Sequence, residues 1–309
     1  MNDFARPLND QDQVDHFLTT VLKVDKVKFK NIGYGIVSCE KGNIDGILNP
    51  TSRSTKFRDR KYKTEDERVE LSKKIVDELF DLPLLDDDDK IKLGKGGARP
   101  GKVKAQKNAY ILIGLPASGK STIARRIANQ YGAMILDSDF AKRKLPEYHG
   151  YQWGASIVHE ESSTIIFGND QEKFDPLISK AVEAKYNIVI PKIGSSVEEI
   201  VSYSDLLKLK GLDYKVHLTL VNLPKEKATL RALGRYKSTN RYVPLSLIFD
   251  SFSDRPVITY LLLKNKMAAK FDSFGVVNTD VEFGKQPICT DLKGKNPAKL
   301  FKYNPKLLI

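Results

Sequence analysis

The chain has 309 residues, 41% of them apolar, which suffices for a proper core and excludes broad disorder, and its length points to one large or two smaller domains. No apolar run approaches the roughly 20 residues a membrane span needs, and the polar, acidic start MNDFARPLNDQDQ has no secretion-signal core, so a cytoplasmic protein is expected. The formal charge of +12 favours anionic partners without choosing among nucleotides, nucleic acid and acidic surfaces, while Cys39 and Cys289 lack metal-type spacing and read as buried or incidental thiols.

In chain order, Val14, Phe17, Leu18, Val21 and Leu22 follow the spacing of an amphipathic helix. Residues 27–48 mix Val, Ile and Tyr with Gly33, Gly35, Gly42 and Gly46, a composition that reads as short strands and turns. Thr64 and Glu67 form a capping-box pattern ahead of Val69, Ile75, Val76, Leu79 and Phe80, so a helix opens at Thr64. Residues 1–93 are thus expected to form a small N-terminal α+β module without chemistry of its own. The acidic run Asp86-Asp87-Asp88-Asp89 reads as a solvated, flexible segment rather than a metal site. The glycine-rich residues 94–106 read as a linker, and residues 107–309 as the second domain.

That domain opens with a short apolar segment, Ala109 to Ile113, followed by Gly114-Leu115-Pro116-Ala117-Ser118-Gly119-Lys120-Ser121-Thr122. The nine residues fit the phosphate-loop pattern G-x-x-x-x-G-K-[ST]. Ile123, Ala124, Ile127, Ala128 and Tyr131 then recur at helical spacing, and Gly132 supplies a stop. Strand, glycine loop and helix are the context in which the motif has physical meaning. The glycines permit the tight turn, backbone N–H groups and the helix N-terminus attract phosphate, and Lys120 reaches the β- and γ-phosphates. Gly114, Pro116 to Gly119, Lys120, Ser121 and Thr122 are therefore the expected binding residues for ATP or GTP, with Ser121 holding Mg2+.

Further elements alternate. Ala133 to Leu136 reads as a strand ending in Asp137-Ser138-Asp139. Residues 154–167 and 171–184 read as helices, Asn187 to Ile190 as a strand, and Ser196 with Glu199 as a second capping box. Tyr214 to Val221 reads as a strand, Lys225 to Tyr236 as a helix, and Gly275 to Asn278 as the last core strand. Alternation of this kind implies an α/β fold, a mostly parallel sheet covered by helices on both faces, with ligands at the carboxyl ends of the strands. Asp137 and Asp139 fall at that edge, where a carboxylate either assists the metal or takes the proton of an acceptor hydroxyl. His159 and Glu160 start a helix but lack the H-E-x-x-H zinc pattern, because Ser163 stands in the fifth position. Their helix either lines an acceptor pocket or packs locally. Tyr151 and Trp153 either stack on a base or fill the core.

The segments GLPASGKST, ILDSDFAKRKLPEY, KYNIVI and LPKEKATLRALGRYKSTNRY together resemble the zeta-toxin family of P-loop small-molecule kinases over about residues 105–255. The resemblance implies that Asp139 is the base that activates the acceptor hydroxyl. It places Asp175 at the family's acidic position before the next strand, and Arg235 and Arg241 at the lid positions that neutralise the transferred phosphate, with Arg231 beside them. The peptidoglycan-precursor toxins carry a Glu at the end of the Tyr-Asn-x-Val-Ile strand, where this chain has Pro191 and then Lys192. The chain is thus more similar to the branch acting on the adenosine ribose of NAD, with Lys192 meeting a further phosphate of the acceptor. The expected function is phosphorylation of a hydroxyl on a nucleotide-like metabolite, NAD or a UDP-aminosugar, possible toxicity and an antitoxin partner following from the resemblance alone. A polynucleotide kinase, and a non-catalytic ATP-binding protein, are the alternatives; nucleic acid is the less favoured partner.

Overall fold

The structure, a computed structural model, describes residues 5–25, 32–169, 173–282 and 284–305. Helix α1 (Gln11–His16) begins at Asp10, whose carboxylate accepts from the Gln13 N–H, and continues as a π-helical turn, Phe17–Val21. Helix α2 spans Ile32–Leu48, so the strands and turns expected within residues 27–48 are replaced by one helix; residues 27–31 lie outside the described residues. The glycines serve close packing there, not turns. A Cβ on Gly35 would stand 2.6 Å from the Tyr236 hydroxyl, one on Gly42 2.3 Å from the Trp153 ring, and one on Gly46 3.0 Å from Ile157. Each glycine costs a helix about 1 kcal/mol relative to alanine, offset here by the neighbours it admits.

Helix α3 (Glu65–Asp81) starts with both halves of the capping box: Glu67 N–H donates to Thr64 Oγ1 and Thr64 N–H to the Glu67 carboxylate. Its Leu71, Ile75, Val76 and Leu79 enter the same core as the sheet strands. Residues 94–106, expected as a linker, are bonded into the sheet. The Ile135 N–H donates to Ala98 O at 3.0 Å, and the Asn187 N–H to Lys104 O at 2.7 Å.

The remaining elements are β1 (Asn108–Ile113), α4 (Lys120–Tyr131), β2 (Ala133–Ile135), α5 (Ser138–Lys144), α6 (Glu147–Gly150), α7 (Gly154–Ile157), α8 (His159–Phe167), α9 (Leu177–Glu183), β3 (Asn187–Lys192), α10 (Val197–Leu207), β4 (Lys215–Asn222), α11 (Lys225–Thr239), α12 (Arg255–Lys266), β5 (Ser273–Asn278), β6 (Ile288–Lys293) and β7 (Lys302–Tyr303). The strands lie in the order β2-β3-β1-β4-β5-β6-β7, with only the β5–β6 pair antiparallel. Every residue from Ala109 to Ile113 is buried, so both faces of β1 are covered. Pro191 sits within β3 without breaking it. Val189 O faces β2, accepting from the Leu136 N–H at 2.8 Å, and β2 pairing ends at Ile135–Val189. Two residues on, Pro191 faces the same side beyond the end of β2, where no ladder N–H is required.

A second apolar cluster joins the N-terminal helices to the rest: Val14, Phe17, Ile36 and Cys39 pack with Leu115, Leu223 and with Ala228, Ala232, Leu233 and Tyr236 of α11. On the other side of the molecule, Arg68 of α3 is 4% exposed and bonds two buried carboxylates, Glu147 of α6 at 2.7 Å and Glu161 of α8 at 2.9 Å. No helix among the described residues is long and apolar enough to cross a membrane.

Candidate active site

The loop from β1 to α4 is held from two sides. The Gly114 N–H donates to Ile193 O at 3.0 Å, and Thr279, whose own N–H donates to Asn222 O at 3.0 Å, donates its hydroxyl to Ser118 O at 2.7 Å. A Cβ at Gly114 would meet Val221 O at 2.5 Å, so the loop leaves the strand only if that position is glycine. Ala117 (φ 60°) and Gly119 (φ 93°) take left-handed backbone, the conformation that turns successive N–H groups inward on a phosphate. Lys120 Nζ donates to Gly114 O at 2.8 Å and Leu115 O at 2.7 Å, lying over the loop. Burial pushes its ammonium down to about 8, against the pull of Asp137 and Asp139. Ser118 Oγ is buried without a partner, while Ser121 and Thr122 are exposed on the first turn of α4.

At the end of β2, Asp137 caps α5 by accepting from the Asp139 N–H at 2.9 Å. One turn on, Lys142 Nζ donates to Asp139 Oδ1 at 2.8 Å and Arg143 Nη1 to the Asp139 carbonyl at 2.8 Å. The two carboxyls divide. Lys142 above all holds Asp139 well below the usual carboxylate range, whereas burial and the neighbouring Asp139 raise Asp137. His159, on the first turn of α8, is pushed down to about 4, chiefly by Lys142, and stays neutral at neutral pH.

Arg235 and Arg241 do come together, on Asp89 of the acidic run. The Asp89 carboxylate accepts from Arg235 at 3.2 Å and Arg143 at 3.3 Å, and pairs with Arg241. Asp88 pairs with Arg125 of α4. The acidic run is thus an ordered turn laid across the site, a correction to the flexible segment expected. Burial works against the Asp89 charge, but Arg241, Arg235 and Arg143 outweigh it and hold the carboxyl below its ordinary value. Arg241 also donates to the Tyr148 hydroxyl at 2.8 Å, while Arg231 turns to Thr279 O at 2.8 Å and braces the loop. Lys142 and Arg143 carried a legible signal, since they lie three and four residues after Asp139 and so share its helix face. Asp89 carried none.

The other expected substrate residues do not all gather at the site, although Lys192 lies within electrostatic reach of His159 and Asp137. Glu160 accepts from Ser52 at 2.7 Å and Arg53 at 2.6 Å, which ties its carboxylate to the segment before α3. Asp175 is exposed in the turn ahead of α9. Lys192 Nζ lies 3.8 Å from the Phe167 ring centre and 4.6 Å from that of Tyr203, and pairs with Glu199 at 3.3 Å. Trp153 packs on Gly42, which answers its role in favour of the core. Beside Asp89 and Arg241 opens a cleft of about 480 Å³ lined by Tyr148, Tyr151, Gln152 and Asn240.

The zeta-toxin family model matches residues 97–271, more than half of the chain. The chain belongs to the zeta-toxin family. Among solved structures, one of the PezAT chromosomal toxin–antitoxin system of Streptococcus pneumoniae is similar at a TM-score of 0.53 and 18% identity, covering 80% of this chain and 89% of that one. At that identity the likeness speaks for the fold, an α/β P-loop kinase architecture. A structure of AvrRxo1-ORF1:-ORF2 with ATP has 20% identity over 76% of this chain and 68% of that one, at a TM-score of 0.41, too slight a likeness to build on. A shikimate kinase of Mycobacterium ulcerans (strain Agy99) is 39% identical over 75 residues, 24% of this chain. The chain spans 34% of the length of that curated relative.

Proposed function

We propose that this zeta-toxin family member transfers the γ-phosphoryl group of ATP or GTP to a hydroxyl of a small nucleotide-like acceptor, NAD or a UDP-aminosugar. The observation that carries the reading is the convergence at one sheet edge of a P-loop lysine, the Asp137/Asp139 pair and the arginines of α11 and the loop after it. Lys120 swings from the Gly114 and Leu115 carbonyls onto the β- and γ-phosphates. The left-handed loop, the buried unpartnered Ser118 hydroxyl and the exposed Ser121 fit a magnesium–triphosphate, which Ser121 would hold with help from Asp137. Bound Mg2+ supplies positive charge to the phosphate oxygens. The acceptor oxygen bonds to Pγ as the bond to the diphosphate breaks, and its proton passes to ionised Asp139, which Lys142 and Arg143 hold in place. Arg235 and Arg241 balance charge on the transferring group, the larger part of catalysis in a loose transition state. Neutral His159, Lys192 and Asp175 are assigned to the acceptor side; Glu160, engaged by Arg53, shapes that wall. The family match and the PezAT likeness support an antitoxin as protein partner, and a cytoplasmic site of action belongs to the same proposal.

The test is phosphate transfer from γ-labelled ATP and GTP with magnesium to NAD, UDP-N-acetylglucosamine and an oligonucleotide, with Lys120→Ala as blank. Label on NAD is the expected outcome and agrees with Pro191 standing in place of the aminosugar-holding Glu. Label on the oligonucleotide alone would overturn the small-molecule reading.

The position of Lys120 gives a pH dependence. Its amine loses a proton near pH 8 in the free protein, whereas bound phosphates hold it charged. Binding above that pH therefore takes up a proton, and ATP affinity is expected to fall progressively as the pH rises through 8, by up to about tenfold per unit well above it. Calorimetry across that range checks it, and affinity that rises with pH would contradict it.

A further inference from the structure

Arg143, Arg235 and Arg241 each pair with the same oxygen of Asp89, Oδ1. One carboxylate oxygen has about two lone-pair directions to offer, so three donors oversubscribe it. Arg143 shows the shortfall: its side chain is 5% exposed and its Nε is buried with no partner. Three permanent charges thus share one carboxylate, and a buried donor is left over. A phosphate, with three or four oxygens arranged tetrahedrally, matches the set better than a carboxylate does. The cluster also borders the cleft of about 480 Å³, within the usual size of a small-molecule site. Asp89 itself sits at the rim, its side chain 35% exposed, so it can turn out to solvent while Ile91, fully buried, keeps the turn anchored.

From this geometry we infer that Arg143, Arg235 and Arg241 form an anion site for a phosphate of the substrates, and that Asp89 is a built-in occupant which that phosphate displaces. The inference rests on the kinase reading above and assigns to it a self-restraint. The restraint is competitive. The apparent affinity for phosphate is lowered by the fraction of molecules in which Asp89 holds the arginines. Arg143 becomes a third phosphate-holding arginine, buried where Arg235 and Arg241 are more open.

The experiment measures binding of inorganic phosphate to the full chain by calorimetry, in a Lys120→Ala background that removes the P-loop contribution. Asp89→Asn is expected to tighten phosphate binding by about tenfold, and Asp89→Ala to do the same. Adding Arg143→Ala to either is expected to cancel the gain. Phosphate affinity unchanged or weakened in both Asp89 variants would overturn the inference, because a carboxylate that merely positions the arginines loosens the site when removed. In the chain with Lys120 intact, Asp89→Asn is expected to lower the KM of a phosphorylated acceptor with kcat held or raised, whereas a fall in kcat with unchanged KM contradicts it. Tighter phosphate binding without transfer to any acceptor would leave the anion site standing and remove the kinase reading instead.

Discussion

Asparagine in place of Asp139 is expected to slow phosphoryl transfer by about 10²–10⁴-fold, the span a positioned general base contributes, with ATP affinity changed by less than about twofold. The two effects separate because Asp139 acts on the loop only through its charge and bonds none of its groups. Asp139 touches Lys142 and Arg143 on its own helix, whereas Lys120 rests on Gly114 and Leu115. Lys142 holds the carboxyl far below its usual range, so Asp139 is an ionised acceptor throughout the physiological range and a weak base. In the proposed reaction its part is then to orient the hydroxyl and collect the proton late, as a loose transition state allows. Loss of a carboxylate also leaves the Lys142 side chain, 13% exposed, without its partner, and a modest fall in melting temperature accompanies the substitution. Single-turnover transfer together with calorimetric ATP binding checks the prediction. Transfer kept within about tenfold of the parent would remove the base assignment.

Arg68→Ala is expected to be the most destabilising single change in the N-terminal region, at about 3–5 kcal/mol, because it strands two buried carboxylates without a cation. Glu147 and Glu161 are 4% and 8% exposed, and Arg68 is bonded to both. The residue joins α3 to α6 and α8, so the loss also loosens the elements that follow Asp139 in the chain. Replacing the trio together by Met and Leu is expected to recover much of the stability, since an apolar set of similar volume avoids the desolvation of three charges. Recovery stays incomplete because the Thr51 hydroxyl and the Asp59 N–H donate to Glu161 and Glu147 at 2.5 and 2.8 Å and would lose their acceptors. Denaturant unfolding of the single and triple variants measures both. A loss under about 1 kcal/mol for Arg68→Ala would mean that water reaches the carboxylates.

The strand, loop and helix around Lys120 were legible because each signal is local: a short apolar run, a fixed glycine spacing, a 3.6-residue repeat and Gly132 at the stop. Asp137 and Asp139 followed from their place at the next strand end. Helix α2 was not legible because its glycines signal turns in isolation, and only the side chains of Tyr236, Trp153 and Ile157 reveal them as contact points. The edge strand β7 has only two residues, and its neighbour β6, as long as β1, runs antiparallel to β5, outside the alternation that marked the others. The arginine cluster was half legible. Arg235 and Arg241 followed from the family resemblance, but Asp89 lies 146 residues before Arg235, and no sequence pattern links a pair that only the folded sheet brings together.

Arg235 and Tyr236 are consecutive on α11, one reaching the anion site and the other pressed on Gly35 of α2. The lid therefore has a bearing surface. A shift of Arg235 toward an incoming phosphate would press the Tyr236 ring on α2, and Ala228, Ala232 and Leu233 of the same helix share that packing with the N-terminal helices. A ligand or protein that grips α1 and α2 thus has a mechanical handle on the arginines without approaching the nucleotide loop.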